Sequence, residues 1–215
     1  MPNNRIVMKD HELLVPFILA PWRRYTFGNI KKLTKNSSDS YVYSVLKKYV
    51  KENILIEEHA GNVILYKLLL SNYKAQIYVG FIAEYIAWNT KNLPFNVIKK
   101  IIGKLTNTYF TVIITGSYAR GKETTDSDLD LVIICDDKQD TKYLMAQIHF
   151  TCEMSIPEVH PYIFRTSEFL EMLNNNEGNY GKEISKNNKV IYGASNYFSI
   201  LNEAILHGFD DKKLY

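Results

Sequence analysis

A β-branched run that ends abruptly in a glycine-serine turn constrains the fold of this chain more than any other feature. The apolar residues 110–114 predict a buried strand, and Gly116 with Ser117 breaks it, so that residues 118–120 can open a short helix. A second apolar run at 129–134 predicts the next strand. Backbone N–H groups at such a strand-to-helix turn, together with the serine hydroxyl, can bind phosphate groups. The pattern therefore predicts a sheet in the C-terminal half with a phosphate-binding turn at its edge.

Two aspartates at the start of the second strand add a candidate metal site. Period-two alternation places the side chains of Asp128 and Asp130 on one face of the strand. Two carboxylates this close repel each other unless a cation lies between them, and Mg²⁺ prefers such oxygens together with substrate phosphates. Two metal ions could activate an attacking oxygen and stabilise a pyrophosphate leaving group. We therefore expect a two-metal Mg²⁺ site and a nucleoside triphosphate as substrate.

The spacing G-S-x-A-x-G at 116–121 followed by S-D-x-D at 127–130 resembles the signature of the polymerase β-type nucleotidyltransferases, in particular their small members. The resemblance covers about 105–195 of the chain. It implies a mixed sheet flanked by helices, with triphosphate and metal bound at the motif. The residues that it assigns to nucleotide and metal binding are Gly116, Ser117, Arg120, Asp128 and Asp130.

This family also has a third carboxylate on a later strand, where it binds metal or serves as a general base. In the segment 156–164, Glu158 is the expected catalytic and metal-binding residue. His160 lies on the same face if the segment is extended and stays open as a substitute, as does a site with no third group. Pro157 and Pro161 favour an edge strand there.

The N-terminal half shows the element order of a winged helix-turn-helix. The predicted elements are a helix over 9–20 that Pro16 can split, a helix capped by Thr26, a helix of about 14 residues capped by Ser37 or Ser38, and a hairpin turning at 59–62. This order resembles archaeal and bacterial winged-helix domains. In helix-turn-helix modules a recognition helix enters the major groove, and the third helix would take that role here. A protein partner, or docking onto the second domain, is the alternative.

The distribution of charge is consistent with a DNA partner for this half. Residues 1–104 hold 16 Lys and Arg against 7 Asp and Glu, whereas residues 105–215 hold 10 against 16. A basic half suits a polyanion, because DNA affinity is largely phosphate neutralisation. A lysine-rich solvated surface is the alternative. The expected phosphate contacts are Lys47, Lys48 and Lys51, and the expected groove contacts are Tyr41 and Ser44.

We therefore expect an α+β chain with a winged helix-turn-helix at 1–70, a helical connector at 71–104 and a nucleotidyltransferase-fold domain at 105–215. Two cysteines without C-x-x-C spacing argue against a disulfide framework or a zinc site. The longest apolar run, 13–20, is too short to span a membrane, and no signal peptide is evident. We expect a cytoplasmic protein with no membrane partner, and the oligomeric state is left open.

The leading functional hypothesis is an Mg²⁺-dependent enzyme that transfers a nucleoside monophosphate, expected to be AMP from ATP, to an acceptor hydroxyl. The small members of the family that it resembles include antitoxins that modify a partner toxin and enzymes that modify antibiotics. A protein acceptor such as a toxin is therefore a candidate partner. The alternative is a DNA-binding transcriptional regulator or antitoxin whose transferase domain only binds nucleotide.

Overall fold

The structure is a computed structural model that describes residues 9–106, 109–210 and 212. The outermost residues of the predicted domains, 1–8, 211 and 213–215, lie outside the described residues, as do 107 and 108. The described chain forms two sheets with helices packed around them. This is the mixed α+β architecture that the sequence predicts.

Two short helices replace the single helix predicted over residues 9–20. A 3-10 helix spans Lys9–Leu14, and helix α1 spans Val15–Leu19. Pro16 lies in the first turn of α1, where its missing N–H leaves no helical hydrogen bond unmade. The position of this proline explains why the segment is divided.

The next two helices begin at the caps that the sequence predicts. Helix α2 spans Phe27–Leu33 and helix α3 spans Asp39–Lys51. The Thr26 hydroxyl accepts a hydrogen bond from the backbone N–H three residues later at 3.1 Å, and the Ser38 hydroxyl does the same at 3.4 Å. Each cap satisfies an N–H that the first turn of a helix leaves unpaired.

A three-stranded antiparallel sheet accompanies these helices. Strand β1 (Arg24–Thr26) was not predicted, because three residues are too few to show an alternating pattern. Strands β2 (Leu55–Ala60) and β3 (Val63–Leu68) form the predicted hairpin, and the strand order is β1-β3-β2. The two strands are connected by residues 61 and 62 alone, which is shorter than the predicted turn at 59–62. Gly61 has a φ of +59°, which glycine adopts without strain. The winged-helix assignment of this region stays a prediction.

A four-stranded mixed sheet forms the other half of the molecule. Its strands are β4 (Phe110–Ile114), β5 (Leu129–Cys135), β6 (Val159–Arg165) and β7 (Lys189–Tyr192). The order is β6-β5-β4-β7, with β5 and β6 parallel and the other pairs antiparallel. As a result, the end of β4 lies beside the starts of β5, β6 and β7 at the same end of the sheet.

Seven further helices surround this sheet. They are α4 (Tyr73–Trp88), α5 (Phe95–Ile102), α6 (Gly116–Arg120), α7 (Thr141–Glu153), α8 (Thr166–Asn174), α9 (Tyr180–Lys186) and α10 (Ala194–Leu206). Helix α4 packs closely on α10, since a Cβ added to Gly80 would lie 2.8 Å from the Ser195 nitrogen. The Glu84 carboxylate also accepts a hydrogen bond from the Ala194 N–H at 2.7 Å. The segment predicted as a connector is thus packed against the C-terminal half.

Alternating side chains of β4 point into two separate cores. Val112 lies in a core that α5 and α7 cover. Ile113 lies in the other core, which contains residues of α4 and α10 and also Phe17 and Leu46 from the N-terminal helices. The N-terminal helices and the mixed sheet therefore share one continuous core. No helix in the described part of the chain is both long and apolar enough to span a bilayer.

Candidate active site

Gly116 brings the turn after β4 directly against the carboxylate of Asp130. Its φ is +67°, a left-handed conformation that glycine adopts without strain. A Cβ added to this glycine would lie 1.9 Å from Asp130 Oδ2. The neighbouring Thr115 N–H donates to the Asp130 carbonyl at 3.0 Å, which fixes the turn to β5. Only glycine leaves room for the loop and the carboxylate to lie this close.

The other two residues predicted to bind nucleotide lie on α6, immediately after that turn. Ser117 is half-buried in the first turn of α6, and Arg120 is exposed in its last turn. Gly121 ends the helix at φ +62°. The arrangement places the serine hydroxyl and the guanidinium on the same short element as Gly116.

The two aspartates lie together at the start of β5. The Asp128 side chain is 47% exposed, while Asp130 is half-buried. Burial raises the pKa of Asp130, and the negative charge of Asp128 raises it further, while His160 and Arg120 act in the opposite direction. Among the described residues, no Lys or Arg nitrogen lies within 4.0 Å of either carboxylate. This donor set fits Mg²⁺, which prefers hard carboxylate oxygens.

The neighbouring strand presents a histidine to this pair. In the parallel register His160 lies opposite Asp130, and its Nε2 is 3.7 Å from Asp128 Oδ2. Glu158 lies just before β6, is exposed, and contributes its carbonyl oxygen to a hydrogen bond from the Leu129 N–H at 2.8 Å. Within the described ranges, no group of three or more His, Cys, Asp and Glu is arranged to hold a metal ion. The role assigned to Glu158 stays a prediction.

Tyr180, at the start of α9, is a neighbour of the site that sequence reasoning missed. Its ring packs against Tyr162 of β6 with 4.7 Å between centroids. Burial raises the pKa of the Tyr180 phenol, and the charge of Asp130 raises it further. Nothing in the local sequence distinguishes this tyrosine from the chain's other tyrosines.

The residues predicted to bind DNA lie together on α3, but several are engaged within the chain. Lys47 Nζ lies 2.9 Å from Glu57 Oε1, and Lys48 Nζ lies 3.0 Å from Asp10 Oδ2. The Tyr41 hydroxyl donates to the other oxygen of the same aspartate at 2.9 Å.

The other two residues predicted to bind DNA, Ser44 and Lys51, make no side-chain contact to a carboxylate of the described chain. The Ser44 hydroxyl donates to the Tyr41 backbone oxygen at 2.9 Å. Lys51 is exposed and has no ion pair with any described residue. Of the three lysines predicted to contact DNA, Lys51 is the one whose charge no described residue pairs.

Comparison with known proteins bears on the region around the aspartates. Residues 96–197 match the family model described as polymerase beta, nucleotidyltransferase. The matched stretch begins in α5, ends in α10 and contains the glycine-serine turn and both aspartates. It supports a nucleotidyltransferase-like role and confirms the family resemblance for that part of the chain.

Two further comparisons add little. A solved structure described as the crystal structure of a toxin-antitoxin with AMP-PNP has a TM-score of 0.38 and 13% sequence identity. That similarity covers 53% of this chain and 87% of the other. A search of curated proteins gave no match.

Proposed function

We propose that this protein transfers a nucleoside monophosphate, AMP from ATP, to an acceptor hydroxyl in a Mg²⁺-dependent reaction. The acceptor oxygen forms a bond to the α-phosphorus, the bond to the β-phosphate oxygen breaks, and pyrophosphate leaves. The hydroxyl proton passes to a base. The observation that carries the proposal is the contact of the Gly116 turn with Asp130 within a matched nucleotidyltransferase stretch.

One group of residues binds the phosphates of the nucleotide, and another binds the metal ion. Gly116 and Ser117 bind the triphosphate through backbone N–H groups and a hydroxyl, and Arg120 neutralises phosphate charge. Asp128 and Asp130 would hold the metal ion, which when bound would neutralise charge on the phosphates and on the leaving group. Their mutual repulsion supports this assignment, as does the absence of a Lys or Arg nitrogen within 4.0 Å of either carboxylate among the described residues.

Glu158 is proposed as the third catalytic and metal-binding residue, and His160 is its competitor. Glu158 adjoins the site through the hydrogen bond that its carbonyl oxygen accepts from the Leu129 N–H, and its side chain is exposed. His160 is already beside Asp128 at 3.7 Å. Both residues can accept a proton from an acceptor hydroxyl.

Transfer of label from ATP tests the proposal. The full chain is incubated with ATP labelled at the α-phosphate, Mg²⁺ and the products of neighbouring genes, among which a toxin-like protein is the candidate acceptor. We expect a labelled acceptor with the native chain and none with Asp130→Asn. Loss with Glu158→Gln but not with His160→Gln assigns the third role to Glu158, and the reverse pattern assigns it to His160. No label with any nucleotide would reject transfer.

A second candidate function is a DNA-binding regulator or antitoxin whose transferase domain only binds nucleotide. We propose for it the winged helix-turn-helix predicted at 1–70, because the described residues 9–70 run through two short helices, a strand, two helices and a hairpin with sheet order β1-β3-β2. Salt-dependent duplex binding that Lys47→Ala and Lys48→Ala weaken would support this function. Absence of duplex binding at low salt would reject it.

A further inference from the structure

An accessible aromatic side chain lies on β6 two residues after His160, on the face of the sheet that carries the Asp130 side chain. The parallel register places His160 opposite Asp130 and Tyr162 opposite Val132. Residues two positions apart on a strand direct their side chains to the same face, roughly 6.6 Å apart along the strand. Tyr162 is 37% exposed, so part of its ring is in contact with solvent beside the candidate active site.

Tyr180, at the start of α9, packs against this ring from one side. The two ring centroids are 4.7 Å apart and the ring planes are inclined by 49°. The ring of Tyr180 also lies 6.3 Å from that of Phe164, which packs against the core that contains Ile113. Aromatic rings at such distances attract each other. Tyr162 and Tyr180, which we call the aromatic pair, therefore form a surface that the core of the protein supports.

The aromatic pair and the glycine-serine turn lie on opposite sides of the aspartates. The strand order β6-β5-β4-β7 places β4 and its turn on one side of β5, and β6 on the other. In the proposed reaction, the phosphates that leave as pyrophosphate lie at Gly116 and Ser117. The attacking and leaving oxygens of such a displacement lie roughly in line. The acceptor hydroxyl therefore approaches from the side of β6, where His160 and Tyr162 lie.

The side chains on the β6 side suit an acceptor whose hydroxyl is carried on, or close to, a planar ring. An aromatic side chain that is partly exposed can stack on such a ring, and this stacking needs no particular pattern of hydrogen-bonding groups. His160 Nε2, 3.7 Å from Asp128 Oδ2, lies on the same face and can accept a hydroxyl proton. The face thus offers a ring-binding surface next to a proton acceptor.

We propose that Tyr162, supported by Tyr180, binds a planar ring of the acceptor and so places the acceptor hydroxyl beside His160. This inference rests on the proposed nucleotide transfer, because it assigns the acceptor side of that site. A phenol and a nucleobase both supply the ring that this stacking requires. Tyr162 is an acceptor-binding residue, and the bonds that form and break in the transfer do not involve it.

Binding of model acceptors to the full chain tests the inference without any transfer. The chain is saturated with Mg²⁺ and α,β-methylene-ATP, in which a methylene group replaces the oxygen between the α- and β-phosphates. Saturation-transfer NMR titrations then compare adenosine with ribose, and N-acetyltyrosinamide with N-acetylserinamide. We expect the ring-bearing member of a pair to bind about tenfold or more tightly than its ring-free partner. The pair with the larger difference identifies the ring as a nucleobase or a phenol.

Substitutions of Tyr162 then show whether this side chain causes the preference. Tyr162→Ala should abolish it and Tyr162→Phe should keep it, while the affinity for α,β-methylene-ATP stays within about twofold of the native value. If Tyr162→Ala fails to fold, Tyr162→Leu removes the aromatic face and keeps an apolar side chain. Tyr192→Ala is the matched control, because Tyr192 is 41% exposed and its ring packs 4.9 Å from that of Phe110. Tyr192 ends β7, in the other edge strand of the sheet.

Labelled ATP separates this inference from the transfer reaction itself. Where labelled product forms, Tyr162→Ala should raise KM for the ring-bearing acceptor about tenfold or more with little change in kcat. A ring preference that depends on Tyr162, without labelled product, would support the binding site while rejecting transfer. Equal affinity for ring-bearing and ring-free probes, or equal losses in Tyr162→Ala and Tyr192→Ala, would overturn the inference even if transfer occurs. Weaker binding of α,β-methylene-ATP to Tyr162→Ala would also overturn it, since the ring would then serve the nucleotide.

Discussion

The charged side chains of α3 and those at the start of β5 differ in whether the chain supplies them with close partners of opposite charge. On α3, Lys47 and Lys48 already have carboxylate partners inside the chain. At β5, Asp128 and Asp130 lie side by side, and among the described residues no Lys or Arg nitrogen lies within 4.0 Å of either carboxylate. We infer that Lys47 and Lys48 serve the fold, whereas the two aspartates are held in an unfavourable arrangement that an external cation would relieve.

The largest expected effect comes from Gly116→Ala. The added methyl group would collide with Asp130 Oδ2, and φ +67° disfavours alanine, so the turn and the carboxylate cannot both keep their places. We expect transfer from labelled ATP to fall by about 100-fold or more, the order seen when one preorganised contact of a reacting group is lost.

Gly121→Ala is the matched control for that substitution. Its φ of +62° imposes a similar backbone strain, but nothing lies within 4 Å of the added Cβ. We expect a loss of stability of about 1 kcal/mol with transfer largely retained. Equal loss of transfer in both variants would show that backbone strain, and not contact with Asp130, sets the effect.

Removing a carboxylate should abolish the response to metal. The native chain with ATP should gain thermal stability on addition of Mg²⁺, by about 2.7 kcal/mol when the ion is at 100 times its dissociation constant. Asp130→Asn should show little gain, and chelation with EDTA should return the native chain to its metal-free melting temperature. An equal gain in Asp130→Asn would place the metal elsewhere and would contradict the contrast drawn between β5 and α3.

A smaller effect, on stability, is expected from removing the Asp10 carboxylate, which connects the 3-10 helix to α3. Burial alone would raise the pKa of Asp10, but the hydrogen bonds from Lys48 and Tyr41 outweigh it and lower the pKa. Because the pKa is lower in the folded state, the ionised carboxylate stabilises the fold above its unfolded value of about 3.9. This stabilisation is lost as the pH falls through the folded-state pKa.

Asp10→Asn should therefore lower the unfolding free energy by about 1 kcal/mol at pH 7, since its partner Lys48 is well exposed. The difference from the native chain should shrink as the pH falls below about 4. Urea unfolding at several pH values measures it. A difference that does not depend on pH would show that the carboxylate charge is not what connects α3 to the 3-10 helix.

The smallest effect concerns the DNA-binding alternative. If α3 contacts phosphates, Lys51→Ala should lower the slope of log affinity against log salt by about one, because its ammonium group has no ion pair among the described residues. Lys48→Ala should change the slope less, since its charge is already paired with Asp10. Duplex titrations over a range of salt concentrations distinguish the two, and equal slopes for both variants would show that the internal pair opens on binding.

The sequence predicted those helix starts and strands that depend on residues a few positions apart. The caps at Thr26 and Ser38 predicted where α2 and α3 begin, and the β-branched run before Gly116 predicted β4. Alternation also predicts that Asp128, just before β5, and Asp130 share one face, and this stays a prediction. These features involve residues a few positions apart, where backbone geometry leaves few choices.

Features that depend on distant contacts could not be predicted in this way. The pairing of Asp10 with Lys48 joins residues 38 positions apart. The register that sets His160 opposite Asp130 depends on where β6 begins after α7, and turn residues do not specify this. Strand β1 exists because β3 pairs with it, and its own three residues carry no pattern.

Helix α4 lies outside the stretch that matches the family model, yet it packs on the sheet of that stretch. The family match starts at residue 96, yet Val79 and Ile82 of α4 lie in the same core as Ile113 and Val190 of the mixed sheet. The indole N–H of Trp88, at the end of that helix, donates to the Ile191 backbone oxygen at 2.8 Å. Cutting the chain at residue 96 would remove α4 from this core and leave that face of the sheet to α8 and α10. The matched stretch is thus packed against a helix that lies before it in the sequence, and removing that helix would take buried apolar contacts away from its sheet.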